Sequence, residues 1–480
     1  MDNAVIVFTL DKNGDAQPFP HFWEHTVGSD HATMALRADW QQQMARCHKE
    51  LGFKHVRFHG LLSDDMGTMM RENDQDVYSF FNTDQIWDFL LSIGMRPFVE
   101  LSFMPTTLAS GGDIVFHYKG NITPPRDVNE WNFFIEKLVR HWMERYGVDE
   151  VKEWFFEVWN EPNLDAFWKG TQQQYFSFYE NTANTIKKVS PLLKVGGPAT
   201  ADNEWIAEFV DYCEKHNAPV DFISTHHYPT DSFGKPGDDT ITQLSESERS
   251  VLRKEAAEVK AKAKGKPVYY TEWCTSSNPF DELHDQPYAA AYIIKTVIEA
   301  QGLVEGYSYW TFSDIFEENY FSSIPFHGGF GLLNIYGIPK PAYRAFQLLH
   351  GIGDKQLTVS GQHETVDVWA FTGDGETRII AVNSALPRHD IKTETVRIEL
   401  GTAMNGGTAS VCYIDDNNAN APKVWQDMGK PDSLLPAQVA QLEQASALVY
   451  KEAEIQNKDG KIFMEITLQP QASACIVIAL

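Results

Sequence analysis

Two glutamates that are far apart in the sequence each follow an apolar run and have unusual neighbours. Glu161 lies within the segment Trp159–Asn163, and Glu272 ends the run Pro267–Glu272. Retaining hydrolysis of a glycosidic bond uses two such carboxyl groups, about 5–5.5 Å apart, one protonating the departing oxygen and one attacking the anomeric carbon. A single glutamate at a strand end is usually a solvated residue or an ion-pair partner. Two of them in these settings favour catalysis.

The neighbours of the two glutamates indicate their roles. Asn160 can donate to a sugar 2-hydroxyl, a contact that strengthens in the transition state, so Glu161 beside it is the candidate acid. An acid at neutral pH needs a raised pKa, which burial and a second carboxylate would supply. Glu272 is then the nucleophile and must stay ionised. The candidate hydrogen-bonding neighbours of Glu272 are Tyr269, Tyr270, His226 and Tyr228.

Strand-like and helical segments alternate between about residue 20 and residue 350. The predicted strands are Phe22–Val27, His55–His59, Arg96–Ser102, Trp154–Trp159, Lys194–Gly197, Asp221–His227, Pro267–Glu272 and Tyr307–Thr311. The predicted helices include Ala38–Leu51, Asp84–Ile93, Asn129–Tyr146, Gln172–Val189 and Pro287–Gln301. Repeated alternation of this kind predicts a (β/α)8 TIM barrel, whose functional groups gather at the C-terminal ends of the strands.

The pattern changes after His350, where apolar and polar residues alternate between turn residues, as in an antiparallel β-sandwich. The predicted strands here are Val366–Thr372, Arg378–Asn383, Thr395–Glu399, Ser410–Tyr413, Lys461–Thr467 and Ala474–Ile478. One further strand, Val5–Leu10, precedes the barrel. We therefore predict a catalytic barrel over residues 15–350 and a β-sandwich over residues 351–480, completed by an N-terminal strand within residues 1–14.

The sequence at the predicted strand ends resembles glycoside hydrolase family 39, which contains β-xylosidases and α-L-iduronidases. The likeness rests on Asn160-Glu161-Pro162, on Glu272, and on the segments Phe22–His31, Val56–Gly60, Asp64–Met66, Thr225–Thr230 and Tyr309–Asp314. It covers the whole predicted barrel, and the family also carries a β-sandwich. The resemblance implies that Glu161 is the acid/base and Glu272 the nucleophile.

The resemblance also implies a pocket for the terminal sugar. Its implied lining residues are His59, Asn160, His226, Tyr228, Trp310 and Glu317, with Phe116 and His117 in a loop of the wall. Each of these residues alone is explained as well by core packing or solvation. The loop after Trp310 leaves Glu317 and Glu318 as alternatives for the same role.

The charge of the residues near the predicted site helps to predict which sugar binds there. An iduronic acid substrate would call for Lys, Arg or clustered backbone donors, whereas the loop after Trp310 carries Asp314, Glu317 and Glu318. Another anion placed there costs Coulomb energy, so a neutral pentose fits better. We predict a retaining, exo-acting β-D-xylosidase of xylan degradation that releases xylose from xylo-oligosaccharides. An α-L-iduronidase-like or α-L-arabinosidase activity at the same site remains the alternative.

Composition limits the partners. With 66 acidic and 40 basic residues the formal net charge is −26, which repels nucleic acids and anionic membrane surfaces. The five cysteines are scattered without CxxC spacing, which indicates a reducing compartment. The N-terminus has no signal-peptide pattern, so a cytoplasmic location is predicted. No cofactor and no metal are expected, and assembly into a homo-oligomer stays open.

Two readings from other classes compete with a glycosidase. His21-Phe-Trp-Glu-His25 matches the H-x-x-E-H zinc motif, but the motif requires a helix and this segment lies where the first barrel strand is expected. A zinc metallopeptidase is therefore disfavoured. A non-catalytic carbohydrate-binding protein would not need two carboxyl groups in opposite protonation states, so the retention of both Glu161 and Glu272 argues against it.

Overall fold

Eight parallel strands close a barrel in the part of the chain that the computed structural model describes, namely residues 5–11, 15–230, 239–318, 322–400 and 408–479. In chain order the strands up to the end of the barrel are β1 (Ile6–Asp11), β2 (Gln17–Pro18), β3 (Thr26–His31), β4 (His55–His59), β5 (Met69–Glu72), β6 (Gln75–Tyr78), β7 (Arg96–Glu100), β8 (Ile114–Val115), β9 (Gly120–Asn121), β10 (Phe155–Glu157), β11 (Lys194–Thr200), β12 (Phe222–His227), β13 (Val268–Trp273) and β14 (Gly306–Tyr309). The barrel order is β3-β4-β7-β10-β11-β12-β13-β14, closed by β14 against β3. The hairpins β5–β6 and β8–β9 lie in loops above it.

Helices cover the barrel from outside. They are α1 (Ala38–Leu51), α2 (Phe81–Ser92), α3 (Val128–Tyr146), α4 (Val148–Val151), α5 (Gln172–Val189), α6 (Ile206–His216), α7 (Thr240–Glu246), α8 (Val251–Lys262), α9 (Pro287–Glu299) and α10 (Pro341–His350), followed in the C-terminal part by α11 (Ala421–Asp427) and α12 (Pro436–Ala445). Helix α1 shows why: Trp40, Met44, Cys47 and Leu51 repeat at helical spacing and are fully buried. Gly52 then ends the helix in a left-handed conformation with φ 77°.

The first barrel strand lies later in the sequence than predicted. The segment Phe22–Glu24 forms a 3-10 turn, and the strand covers Thr26–His31 instead of Phe22–Val27. Phe22 and Trp23 are buried with Phe19 in the core beside the barrel, which explains their apolar character. The true strand is largely polar, so apolar periodicity could not reveal it.

The C-terminal part forms a second, mostly antiparallel sheet, which confirms the predicted fold class. Its strands are β15 (Lys355–Ser360), β16 (Val366–Gly373), β17 (Glu376–Asn383), β18 (Glu394–Glu399), β19 (Ala409–Ile414), β20 (Lys451–Ala453), β21 (Gln456–Lys458), β22 (Lys461–Leu468) and β23 (Ala472–Ala479). They run in the order β20-β19-β23-β17-β16-β15-β1-β18-β22-β21 and enclose an apolar core separate from the barrel core.

Strand β1 joins this second sheet, although it precedes the barrel in sequence. It pairs antiparallel with β15 and parallel with β18, so it lies between two strands of the C-terminal part. Phe8 and Leu10 are buried in the core of that sheet. The domain boundary at residue 350 stays a prediction. No helix within the described residues has the length and apolar character needed to cross a membrane.

Candidate active site

The C-terminal ends of the barrel strands surround a cavity of about 350 Å³. Its polar lining includes His59 at the end of β4, Asn160 and Glu161 after β10, and Glu272 near the end of β13. Its apolar and mixed walls are Phe116, Leu164, Phe167, Tyr228, Pro279, Trp310 and Phe330. Because catalytic groups of TIM barrels lie at this face, the cavity is the candidate active site.

The two glutamates predicted from sequence meet in this cavity. One carboxylate oxygen of Glu161, one of Glu272 and a ring nitrogen of His226 all lie within 4.8 Å of one another. Glu161 is 9% exposed and Glu272 is 5% exposed, so both face a site with little water. This oxygen-to-oxygen approach matches the short carboxyl separation of retaining glycosidases and leaves no space for the water that an inverting enzyme places between them.

Glu272 is held by donors on both of its oxygens. Arg57 Nη1 donates to Oε1 over 2.7 Å, and the Tyr228 hydroxyl donates to Oε2 over 2.9 Å. Hydrogen bonds of this kind stabilise the ionised form of a carboxylate. Of the predicted neighbours, Tyr269 and Tyr270 were wrong: Tyr269 packs among aromatic rings at the other end of the barrel, and Tyr270 stacks on His227.

Glu161 lies at the end of a chain of hydrogen bonds whose direction can be deduced. The Thr271 hydroxyl donates to Glu157 over 2.7 Å, so it accepts from His226 Nε2 at 3.1 Å. Burial lowers the pKa of His226 well below its usual value, so the ring is neutral and its Nδ1 carries no proton. The bond of 2.9 Å between Nδ1 and Glu161 Oε1 therefore needs a proton from Glu161.

The surroundings of Glu161 favour that protonated form. Burial, followed by the charge of Glu272, raises the pKa of Glu161 well above its usual value. The backbone is strained there as well, because Trp159 and Glu161 have φ values of 79° and 44°. Left-handed conformations of non-glycine residues cost about 1–3 kcal/mol each and cluster at functional sites. Glu161 is thus kept neutral, as the proton donor of such a pair has to be.

A buried arginine that sequence reasoning missed organises the floor of the site. Besides Glu272, Arg57 contacts Glu157 at 2.5 Å, Asn160 Oδ1 at 2.9 Å and Glu100 at 2.8 Å. Arg57, Glu100 and Glu157 are at most 1% exposed. The available signal was a charged residue in each of three barrel strands: Arg57 in β4, Glu100 at the end of β7 and Glu157 at the end of β10.

Five of the predicted sugar-binding residues line the same cavity, namely His59, Phe116, Asn160, Tyr228 and Trp310. His59 Nε2 lies 3.4 Å from Glu272 Oε1, and its Nδ1 is fixed by Glu100 at 2.7 Å. The ring of Trp310 lies 4.8 Å from that of His59, centroid to centroid. Phe116, at the turn of the β8–β9 hairpin with φ 56°, forms part of the cavity wall. His226 lies behind the two glutamates and does not line the cavity; its Nδ1 is 2.9 Å from Glu161 Oε1 and 3.6 Å from Glu272 Oε2.

The two glutamates of the loop after Trp310 lie in different surroundings. Glu318 lines the cavity, and its Oε1 lies 3.4 Å from His59 Nε2. Glu317, predicted to bind the sugar, points away from the cavity and pairs with His31 Nδ1 at 2.5 Å and with His117 at 3.3 Å. The path of this loop is set by Lys340, whose buried ammonium contacts Asp314 at 2.6 Å. That distant contact was not visible in the sequence.

A family model described as "Glycosyl hydrolases family 39" matches residues 6–462, nearly the whole chain.

The chain belongs to this family.

It is accordingly an enzyme that hydrolyses glycosides, and family 39 is a family of retaining glycosidases. The chain is 47% identical over 464 residues to a β-xylosidase of Caldicellulosiruptor saccharolyticus, covering 95% of each sequence. It is 35% identical to a β-xylosidase of Geobacillus stearothermophilus, over 98% of this chain and 95% of that sequence. The crystal structure of a monomeric β-xylosidase from Caulobacter crescentus superposes with a TM-score of 0.88 at 32% identity, over 99% of both chains. The predicted resemblance is confirmed.

Membership of family 39 leaves the metallopeptidase reading without support, and so does the local geometry. His21, Glu24 and His25 do not share a helix, because the segment is a 3-10 turn that leads into β3. His25 Nδ1 instead lies 2.7 Å from the Thr26 hydroxyl, and the His25 ring stacks on His55.

We predict that Arg57→Met destabilises this family 39 enzyme strongly. The substitution leaves Glu100, Glu157 and Glu272 buried without their counter-charge, which costs about 3–5 kcal/mol of unfolding free energy. Urea unfolding measures the loss. Arg126→Met is the matched control, because Arg126 and Glu130 form a half-exposed pair whose removal costs about 0–1 kcal/mol. A loss of less than about 1 kcal/mol for Arg57→Met would contradict the account.

Proposed function

We propose that this chain is an exo-acting β-D-xylosidase that removes xylose from the non-reducing end of xylo-oligosaccharides, with Glu161 as acid/base and Glu272 as nucleophile. The observation that carries the proposal is the close approach of two carboxyl groups with opposite surroundings. Glu272 receives hydrogen bonds from Arg57 and Tyr228, whereas Glu161 is buried against a neutral His226. When two neighbouring carboxyl groups have different environments, one can serve as the acid and the other as the nucleophile.

In the first step, a Glu272 oxygen attacks the anomeric carbon while the bond from that carbon to the leaving oxygen breaks. Glu161 gives its proton to the departing oxygen, so the alcohol leaves neutral and a covalent glycosyl-enzyme ester remains. Arg57 retains its hydrogen bond to Glu272 Oε1. The attacking oxygen is therefore Oε2, which accepts from the Tyr228 hydroxyl. Asn160, itself oriented by Arg57 Nη2, can donate to the 2-hydroxyl.

In the second step, the ionised Glu161 takes a proton from a water molecule. The water oxygen attacks the anomeric carbon, and the bond from that carbon to Glu272 breaks, which returns both carboxyl groups to their starting states. In the resting enzyme, the hydrogen bond of 2.9 Å between His226 Nδ1 and Glu161 Oε1 orients the protonated carboxyl group before the first step. Two displacements on one carbon retain its β configuration.

A neutral pentose fits the lining better than a uronic acid. Among the described residues that line the cavity, none is Lys or Arg, and four are Glu or Asp: Glu161, Asp202, Glu272 and Glu318. A sugar carboxylate would therefore meet like charges in a cavity with little water. The two β-xylosidases among the relatives support the same choice of sugar. An α-L-arabinoside differs in the arrangement around the ring carbons and is the alternative substrate.

The test is a comparison of nitrophenyl β-D-xyloside, α-L-arabinoside, β-D-glucoside and α-L-iduronide under identical conditions. We expect kcat/KM to be highest for the β-D-xyloside, and NMR of the reaction to show β-xylose as the first product. The highest kcat/KM on an arabinoside or an iduronide would replace the proposed substrate. Release of the α-anomer first would contradict the two-step mechanism.

Glu318 is predicted to bind sugar hydroxyls, so Glu318→Gln should weaken the enzyme. Burial, then the charges of Asp30 and Glu272, raise the pKa of Glu318 well above its usual value. Among the described residues, the buried Oε1 of this carboxyl group has no hydrogen-bond partner, which leaves that oxygen available to the sugar. We expect kcat/KM for the xyloside to fall about 10–100-fold, since a buried hydrogen-bonding group that loses its partner costs about 1–3 kcal/mol.

Glu317→Gln is the matched control, one residue away in the same loop but directed to His31. We expect a loss of less than about threefold, because the loop keeps its other anchor, a backbone bond from Glu317 to Asp30 at 2.6 Å. A larger loss in Glu317→Gln than in Glu318→Gln would return the sugar-binding role to Glu317.

The remaining predictions concern the setting of the enzyme. The five cysteines are all buried free thiols, which supports a reducing compartment and the predicted cytoplasmic location. Assembly into a homo-oligomer stays a prediction, and the Caulobacter crescentus relative is described as monomeric.

A further inference from the structure

A second group of polar side chains lies at the N-terminal end of the barrel, opposite the active site. His21 Nδ1 and His350 Nδ1 each lie 2.7 Å from the same oxygen, Oε1 of Glu24. Ligand atoms of the three residues lie within 4.8 Å of one another. The sequence motif His21-x-x-Glu24-His25 thus brings two of its residues together, and the third position is taken by His350, at the end of α10, instead of His25.

We propose that His21, Glu24 and His350 bind a divalent transition-metal ion, for which zinc is the best match. Two imidazoles and one carboxylate form a ligand set that zinc uses, with a water molecule as the fourth ligand. The His21 and His350 side chains are 18% and 39% exposed, so an ion and its water can reach the site. At bond lengths of about 2.1 Å, tetrahedral ligand atoms lie about 3.4 Å apart, so the nitrogen–oxygen distances have to open by about 0.7 Å.

The surroundings prepare these side chains for an ion. Oε1 of Glu24 faces both histidines, and its other oxygen, Oε2, faces the ammonium of Lys54 at 3.7 Å, which leaves Oε1 for the ion. A contact of this kind orients a ligating carboxylate. The ring of His21 is held by stacking on Trp23 at 4.5 Å.

Gly52 makes room for the other histidine, because a Cβ at position 52 would lie 2.5 Å from His350 Nδ1 and 2.8 Å from the Glu24 carboxyl carbon. Any larger residue there would separate the two groups.

The ion would join the start and the end of the barrel. His21 and Glu24 lie just before β3, the first barrel strand, and His350 is the last residue of α10, the last barrel helix. A ligand that binds the folded chain and not the unfolded one stabilises the fold by RT ln(1 + [L]/Kd), where [L] is the free ligand concentration. The role we infer is therefore structural, at the opposite end of the barrel from the proposed hydrolysis.

The experiment is calorimetric titration of EDTA-treated, dialysed enzyme with zinc chloride, together with the zinc dependence of its Tm. Because Glu161, His226 and Glu272 also bring ligand atoms together, the titration is made in a Glu161→Ala background. We expect one zinc ion per chain and a Tm that rises with zinc concentration. In addition, His350→Ala should weaken zinc binding by at least about 100-fold, since loss of a ligand exceeds the 10–100-fold effect of a supporting contact.

His216→Ala is the matched control: His216 also ends a barrel helix, α6, and lies 3.6 Å from a carboxylate, Glu180. It should leave zinc binding unchanged. Equal zinc affinity in the background protein and in its His350→Ala form would overturn the proposal, and so would absence of binding in the background protein. If His350→Ala fails to fold by circular dichroism, His21→Ala takes its place with the same expectation.

Discussion

Glu272→Ala should reduce kcat by roughly 10⁴-fold or more, because the substitution removes the atom that forms the covalent intermediate. Arg57 and Tyr228 would still face the sugar, but neither offers a carboxylate within bonding distance of the anomeric carbon. Single-turnover and steady-state assays with nitrophenyl β-D-xyloside measure the loss. The matched control is Glu282→Ala, an exposed glutamate after the same strand, for which kcat should not change.

The same prediction can be checked by trapping the intermediate. A 2-fluoro xyloside with a good leaving group slows both steps, and we expect mass spectrometry of digested enzyme to find the sugar on Glu272. A label on Glu161, Glu318 or any other residue would overturn the assignment of the nucleophile. Retention of more than about 1% of the wild-type kcat by Glu272→Ala would do so as well.

Glu161→Ala should have an effect that depends on the leaving group. General acid catalysis contributes about 10²–10⁴-fold, and a leaving group that departs easily needs little of it. We therefore expect a loss of about 10²–10⁴-fold in kcat/KM on xylobiose and a much smaller loss on dinitrophenyl xyloside. Equal losses on the two substrates would show that Glu161 is not the acid.

The pH dependence of kcat/KM gives an independent reading of Glu161. Its pKa is raised by burial and by Glu272, and the protonated form is the active one in the first step. Activity should therefore persist above the usual carboxyl range and fall as pH rises through the raised pKa. Glu161→Ala should abolish this alkaline limb on the dinitrophenyl substrate. An unchanged alkaline limb in the variant would assign it to another group.

The sequence predicted the architecture well where burial and periodicity agree. Helix α1 and strand β4 have the predicted bounds, because their apolar residues repeat at regular spacing and the ends are marked by glycine. The prediction placed strand β3 too early in the sequence, because its buried residues, Thr26–His31, are mostly polar and show no apolar pattern. Parallel strands read as apolar runs only when both faces are buried among apolar groups.

The site was predictable to the extent that residues at strand ends converge. Glu161 and Glu272 were singled out by that rule together with their unusual neighbours in the sequence. The inward-facing Arg57 was not identified, because a charge inside an apolar strand makes sense only when its three carboxylate partners on other strands are known. For a similar reason the sequence could not show that Glu318, and not Glu317, lines the cavity. The loop that carries both residues is anchored at Asp314 by Lys340, which lies in a later segment.

The position of β1 has a consequence for synthesis of the chain. This strand leaves the ribosome first, but both of its neighbours, β15 and β18, are made only after the entire barrel. At about 5–20 residues per second, roughly 20–80 s pass before β18 is available. During that interval the alternating strand Ile6–Asp11 has both edges open, and such edges invite pairing between nascent chains. Slow translation of the barrel should therefore lower the yield of native enzyme through aggregation rather than through misfolding of the barrel itself.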